Sequence, residues 1–237
     1  QFSLIFCAYY IYSHFNYLDS NISESYNTGI FSNIFKIFIL LSLTVIFYYT
    51  SVFLKYFNIY QTEYFLITIF GLLGMMIMIS SQNLLLLYLG IELLSLSLYS
   101  VIAFNRNSLF ASEAAVKYYI LGAISSGFLL FGISLVYGLT GSLSFNEIFA
   151  HIALLDISSG IDNVQIIGLL FALIFMLISL SFKFGAAPFH MWIPDVYHGS
   201  IITTTLLLST IPKIAVFVIV IKLLGLVFSG LFVFWSD

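Results

Sequence analysis

Residues 83–104 read NLLLLYLGIELLSLSLYSVIAF. The stretch is apolar far beyond the length of a strand, and it holds one carboxylate, Glu92, near its middle. A bilayer core takes about 20 apolar residues of helix, so these residues read as one membrane span. Five further segments have the same character: Asn33–Phe57, Glu63–Ser80, Ala114–Leu139, Val164–Phe184 and Ile201–Phe228. A shorter run, Phe2–Phe15, looks like the end of another helix. The chain opens on Gln1 inside that run, so an upstream part is expected to be missing or removed. The expected fold is all-α, a polytopic transmembrane helical bundle of about seven spans with the first one partial. It forms a single domain over residues 1–237.

Composition agrees with this reading. Hydrophobic residues make up 62% of the chain and charged residues 7%, against roughly a quarter charged in soluble domains. So few charges cannot cover a water-facing surface. Helices and closed barrels alone satisfy their backbone in lipid. Barrel strands alternate apolar and polar residues, whereas these runs are continuous, so helices are expected. The net charge of −3 comes with no basic run, which argues against nucleic acid as a partner. The single cysteine, Cys7, supplies no internal disulfide, zinc site or cluster, so no cofactor is expected in this chain. The richness in Phe, Tyr and Ile suits an A/T-rich organellar genome.

The connections are Asn16–Ser32, Gln61–Thr62, Asn105–Ser112 and Gly141–Asn163. If every segment spans, Lys55 and Arg106 share one side. Glu147, Asp156 and Asp162 lie on the other, in a connection without Lys or Arg. The positive-inside rule then puts Lys55 and Arg106 in the matrix or cytoplasm, although Lys36 and Lys222 lie toward the opposite face.

Ionisable groups inside a membrane are costly and mark function by default. Glu92 is too short to reach water from mid-depth and needs a cation or a hydrated cavity; the plainer alternative is a protonated side chain filling a polar helix contact. Lys213 is also at mid-depth, after Pro212, which disturbs local helical bonding; a long lysine can also snorkel. Lys183 lies near the far edge of its segment, where snorkelling is ordinary. If Gly185 and Pro188 interrupt the helix and it resumes toward Pro194, Lys183 moves inward to a break of the kind that binds ions or water in transporters. Spacing leaves both readings open. Lys117 follows Glu113 by one turn, an ordinary surface pair, with a proton-path role as the alternative. His190 follows the break and suits either a proton relay or an interfacial anchor. Gly71, Gly74, Gly122, Gly127 and Gly132, with Ser125 and Ser126, read as small faces for close helix packing. The Met75, Met76 and Met78 cluster also reads as packing.

Several of these residues carry a resemblance. Gly90-Ile91-Glu92-Leu93, Glu113 to Tyr118, Phe182-Lys183-Phe184 and Pro188 to Asp195 are similar to NADH dehydrogenase subunit 2. That family is the antiporter-like membrane-arm subunit of respiratory NADH:ubiquinone oxidoreductase (complex I), called subunit N in bacteria. Phe104-Asn105-Arg106, Leu121-Gly122-Ala123, Ser125-Ser126-Gly127 and Pro212-Lys213-Ile214 extend the match in the family's order. The resemblance implies an antiporter-like fold of two inverted repeats, of which this chain holds the first, with one broken helix. It implies that Glu92, Lys183 and Lys213 transfer protons, with Lys117 and His190 as further candidates. After Asp195 the chain departs from the family, with His198-Gly199 and Ser200 to Thr205 in place of an acidic residue and a Pro-Thr-Pro-like stretch.

Such a subunit carries no electrons; flavin, iron–sulfur clusters and ubiquinone bind elsewhere in the complex. Burial disfavours the charged form of a lysine and a nearby carboxylate favours it. A Glu92–Lys183 pair would therefore gate proton release toward Lys213. The expected partners are other membrane-arm subunits, membrane lipids and a second chain supplying the missing repeat. The expected location is the mitochondrial inner membrane, with the bacterial plasma membrane as the alternative. A cation/proton antiporter subunit of the Mrp type and a structural subunit with a non-conducting half-channel are the competing readings.

Overall fold

The computed structural model describes residues 1–14, 25–26, 29–57, 61–105, 107–155 and 164–232. Arg106, Asp156 and Asp162, on which part of the sidedness argument rests, lie outside them, as does the terminal Trp235-Ser236-Asp237.

The helices are α1 (Phe2–Ser13), α2 (Ile30–Tyr56), α3 (Gln61–Ser80), α4 (Leu84–Ile102), α5 (Leu109–Thr140), α6 (Phe145–Ala153), α7 (Val164–Phe184), α8 (Ile193–Gly199), α9 (Ile202–Ser209) and α10 (Ile211–Lys222). Six helical stretches are long and apolar enough to cross a membrane: Ile30–Tyr56, Thr62–Ser80, Leu84–Ile102, Leu109–Thr140, Val164–Phe184 and Ile202–Val227. They coincide with the six spans expected from the sequence, and the chain is a multi-pass membrane protein. α1 is the short partial helix, and it packs on α2.

Three details differ from the sequence reading. α5 begins at Leu109 rather than Ala114, because Ser108 caps it by accepting from the Ala111 amide at 3.4 Å. The connection after α5 contains the helix α6, whose Phe145, Ile148 and Ile152 face inward. The last span is not continuous: Thr210 leaves helical geometry (φ −115°, ψ −83°) and splits it into α9 and α10. Pro212, near the start of α10, lacks the amide that would have bonded back across that point.

Two antiparallel pairs form the frame, α3 with α4 and α5 with α7. In the first, backbones touch. A Cβ on Gly74 would lie 2.7 Å from the Gly90 carbonyl, and one on Gly90 would lie 2.9 Å from the Met78 amide. In the second, a Cβ on Gly132 would lie 2.7 Å from Met176 and 2.9 Å from the Ala172 carbonyl. Small residues thus let the helices approach, as expected where lipid supplies no hydrophobic drive between them. Gly127 is the exception to the sequence reading, since nothing stands within 4 Å of the Cβ it lacks. Met75 and Met78 are buried in the core, as expected of packing.

Gly90→Ala and Gly127→Ala separate these roles. Gly90→Ala forces two backbones apart and should cost about 1–3 kcal/mol. Gly127→Ala adds only helix propensity and should be neutral or stabilising, within about 1 kcal/mol. Thermal unfolding of the detergent-solubilised protein measures both; equal melting shifts would refute the assignment.

Candidate functional site

The site begins where α7 stops. Gly185 adopts a left-handed conformation (φ 76°) that an L side chain rarely takes. Its amide donates to the Phe182 carbonyl at 3.1 Å, and the Ala186 amide reaches back to Ser181 at 3.0 Å. This is the Schellman pattern of helix termination. Trp192 folds under the break, and its indole N–H donates to the Phe182 carbonyl at 3.0 Å. A Cβ on Gly185 would lie 2.4 Å from Ile193, so the turn closes tightly on the start of α8. The interruption between Lys183 and Pro188, with helix resuming near Pro194, is therefore present, and Lys183 occupies the last turn of α7. A helix C-terminus carries partial negative charge and favours a cation there.

Lys183 is buried, and its Nζ donates to Ser95 Oγ at 2.6 Å. The Ser95 hydroxyl spends its own proton on the Ile91 carbonyl at 2.7 Å, so it can only accept from the lysine. Ser95 lies one turn beyond Glu92 on α4. Glu92 Oε2 accepts from Ser126 Oγ of α5 at 2.8 Å. Glu92 and Lys183 are therefore held by separate serines, Ser126 and Ser95, and are not paired directly within 4.0 Å. Among the described residues the ion pairs within 4.0 Å are those of Lys117. Ser125 Oγ and Ser179 Oγ, 3.0 Å apart, fasten α5 to α7 one turn before Lys183.

Lys213 follows Pro212 in the first turn of α10, half-buried, with its ammonium 5.9 Å from the centre of the Tyr197 ring. Aromatic rings fill the space between the two lysines. Lys183 lies over Tyr99 (5.8 Å), Tyr99 meets Tyr118 (5.0 Å), Tyr118 meets Trp192 (4.7 Å) and Trp192 meets Tyr197 (6.3 Å). The hydroxyls of Tyr99 and Tyr197 are buried without a protein partner among the described residues. The absence of a side chain at Gly122 leaves room for the Tyr99 hydroxyl, which would stand 2.0 Å from a Cβ there.

The remaining candidates stand apart. Lys117 is exposed and pairs with Glu113 at 2.8 Å, as its spacing suggested, and with Asp195 at 2.8 Å, which the sequence did not suggest. It straps α5 to α8. His190 is exposed on the turn, and its ring makes no hydrogen bond to any of the lysines among the described residues. The sequence reading gave Ser126 a packing role only and passed over Ser95, Tyr99 and Tyr197. The available signal was a serine one turn from a buried carboxylate in an otherwise apolar span.

A family model described as NADH:quinone oxidoreductase/Mrp antiporter, transmembrane, matches residues 81–235. NADH-quinone oxidoreductase subunit N of Thioalkalivibrio sulfidiphilus is 51% identical over 194 residues, covering 81% of this chain and 39% of that protein. The subunit N of Thiobacillus denitrificans is 47% identical over 194 residues, covering 82% of this chain and 39% of that protein. The chain thus spans about two fifths of the length of these curated relatives. A chain of respiratory complex I from Thermus thermophilus superposes with a TM-score of 0.73 at 29% identity, over 92% of this chain and 45% of that one. A chain of the Mrp complex from Dietzia sp. superposes with a TM-score of 0.71 over 96% of this chain and 43% of that one. Its 15% identity makes that likeness one of fold alone. The antiporter-like bundle, the broken α7 and the matched sequence lead to one conclusion: the chain belongs to the NADH:quinone oxidoreductase/Mrp antiporter transmembrane family.

Proposed function

We propose that the chain is the first repeat of a proton-translocating membrane-arm subunit of NADH:quinone oxidoreductase, carrying protons while electrons move elsewhere in the complex. The observation that carries this reading is the buried Lys183 ammonium at the broken end of α7, joined through Ser95 to the turn that bears Glu92. A charge in this setting is expensive, and its cost depends on how near the carboxylate stands. Ser95 holds the ammonium and Ser126 holds the carboxylate. A shift of α7 against α4, or a rotation of the Glu92 side chain, changes how tightly Lys183 holds its proton. One unit of proton affinity is about 1.4 kcal/mol, so small rearrangements suffice to gate release. The proton then passes toward Lys213 along the Tyr99 and Tyr197 hydroxyls, with water completing the chain. His190 and Lys117 act at the exposed edge of this route, in proton delivery or in holding α8.

The identity to subunit N favours this role over an Mrp-type antiporter, whose likeness lies in the fold. The relatives described above are bacterial, which supports a plasma-membrane setting over a mitochondrial one. Flavin, iron–sulfur clusters and quinone belong to other parts of the assembly in this reading. Other membrane-arm subunits are its neighbours, and a second inverted repeat, on another chain, completes the path across a membrane core about 30 Å thick.

Glu92→Gln keeps the side-chain volume and removes the charge. It should lower the ratio of protons pumped to NADH oxidised by about tenfold while the complex assembles normally, the effect of a roughly 1.4 kcal/mol loss at the gate. Proteoliposomes with a pH-sensitive dye report the ratio. Unaltered pumping in an assembled complex would sink the Glu92 assignment.

Ser95→Ala removes the acceptor of Lys183 and leaves the ammonium buried without it. The expected loss of stability is about 1–3 kcal/mol, together with slower pumping, and Ser95→Thr should restore both in part. If Ser95→Ala pumps and melts like the parent, Ser95 has no role in proton transfer.

A further inference from the structure

A second pair of buried lysines lies at the opposite membrane face from the α8 end, near the α3–α4 turn. Lys36 of α2 and Lys222 of α10 are both buried, at 5% and 4% exposure. Lys222 Nζ donates to the Ile79 carbonyl, one of the free acceptors at the C-terminus of α3. Ser32 Oγ, one turn before Lys36, donates to the same carbonyl at 3.1 Å. Lys36 Nζ lies over the Tyr26 ring at 5.3 Å. Lys222 and the turn of α2 that carries Ser32 and Lys36 thus meet at one carbonyl. Neither has a carboxylate within 4.0 Å among the described residues, where the ion pairs are Lys117's. Two buried cations side by side are costly without an answering negative charge.

Open space lies beside Lys222, one helical turn of α2 away from Lys36. A groove of about 380 Å³ runs from Ser32 and Lys222 along Phe31, Ile221 and Leu226. A second, of about 370 Å³, runs along Phe145 and Phe149 of α6. The two grooves share Gln82, Gly225 and Leu226 as a common wall, and Asn146 and Ser229 also line the second. Phe31 and Leu226 are exposed, at 41% and 52%, which leaves the grooves open at the protein surface. We propose that Lys36 and Lys222 bind the phosphate of an anionic phospholipid, whose two acyl chains lie in the two grooves. Phosphate oxygens accept from ammonium groups as charge-assisted bonds, and basic pockets between membrane helices suit lipid head groups. The apolar residues along the grooves, Phe31, Ile221, Leu226, Phe145 and Phe149, favour a lipid over a free anion. The bound lipid would brace α6 against the end of α10, where the helix loosens into a π turn at Leu223–Val227.

The test uses the protein in its native membrane assembly, extracted in detergent, delipidated and titrated with dioleoylphosphatidylglycerol or dioleoylphosphatidylcholine. Native mass spectrometry counts the retained lipid. The parent should prefer phosphatidylglycerol by at least about fivefold, the contribution of one lysine near a phosphate. Lys36→Met should abolish that preference. Gly225→Leu should weaken retention of both lipids, because open space surrounds the missing Cβ and the new side chain fills the groove without a clash. It leaves both lysines in place, so it tests the site even where Lys36→Met fails to fold. Equal retention of the two lipids by the parent would overturn the proposal. So would a preference unchanged by Lys36→Met, which would mean that a carboxylate of this protein answers the lysines. Displacement by inorganic phosphate at lipid-like concentrations would assign the pair to a free anion and also overturn it.

Discussion

A carbonyl inside lipid has no water to fall back on, and each one left without a donor costs several kcal/mol. The structure depends on how that constraint is met at the end of α7. Ending a helix frees carbonyls, and three donors answer those of Ser181 and Phe182: the Gly185 and Ala186 amides and the Trp192 indole. With these carbonyls answered the chain turns, and Lys183 in the last turn of α7 is buried against Ser95. Aromatic rings stand between that ammonium and Lys213. The same logic governs the α3 terminus, where Lys222 and Ser32 answer the Ile79 carbonyl.

The architecture was legible because lipid demands long apolar helices, and such helices leave a strong signal in a single sequence. The break in α7 was legible for a local reason: Gly185 and Pro188 act on backbone geometry wherever they fall. Pro212 announced its disturbance in the same way, although Thr210, where the helix parts, gave no sign. α6 was missed because its nine residues are too short to span, yet Phe145, Ile148, Phe149 and Ile152 recur at the spacing of one helix face, Ser144 and Glu147 stand at the spacing of a helix start, and Glu147 is held by Ser142.

The site was legible in its charges and opaque in its partners. Glu92, Lys183 and Lys213 stand out because a charge in an apolar span is rare. Ser95 and Ser126 do not, since serine is common in membrane helices and its role depends on which neighbour it meets. That is decided by the crossing of α4 with α5 and α7, through contacts between residues far apart in the chain. The direct Glu92–Lys183 pair pictured from sequence resolves for this reason into two groups held by separate serines. Gly127 and Gly122 make the same point, because two glycines in one helix serve lipid exposure and a tyrosine hydroxyl respectively.

The contact between Gly74 and Gly90 has a mechanical side. With backbone against backbone at less than side-chain distance, α4 cannot slide along α3 without collision. The height of Glu92 in the membrane is therefore pinned. α7 is held as closely by α5, where a Cβ on Gly132 would stand 2.9 Å from the Ala172 carbonyl, and α8 is tied to α5 through Lys117. The bundle thus contains two clamped pairs, with Glu92 on one and Lys183 on the other. Any change in the distance between them must come from a shift of one whole pair against the other or from the side chains themselves.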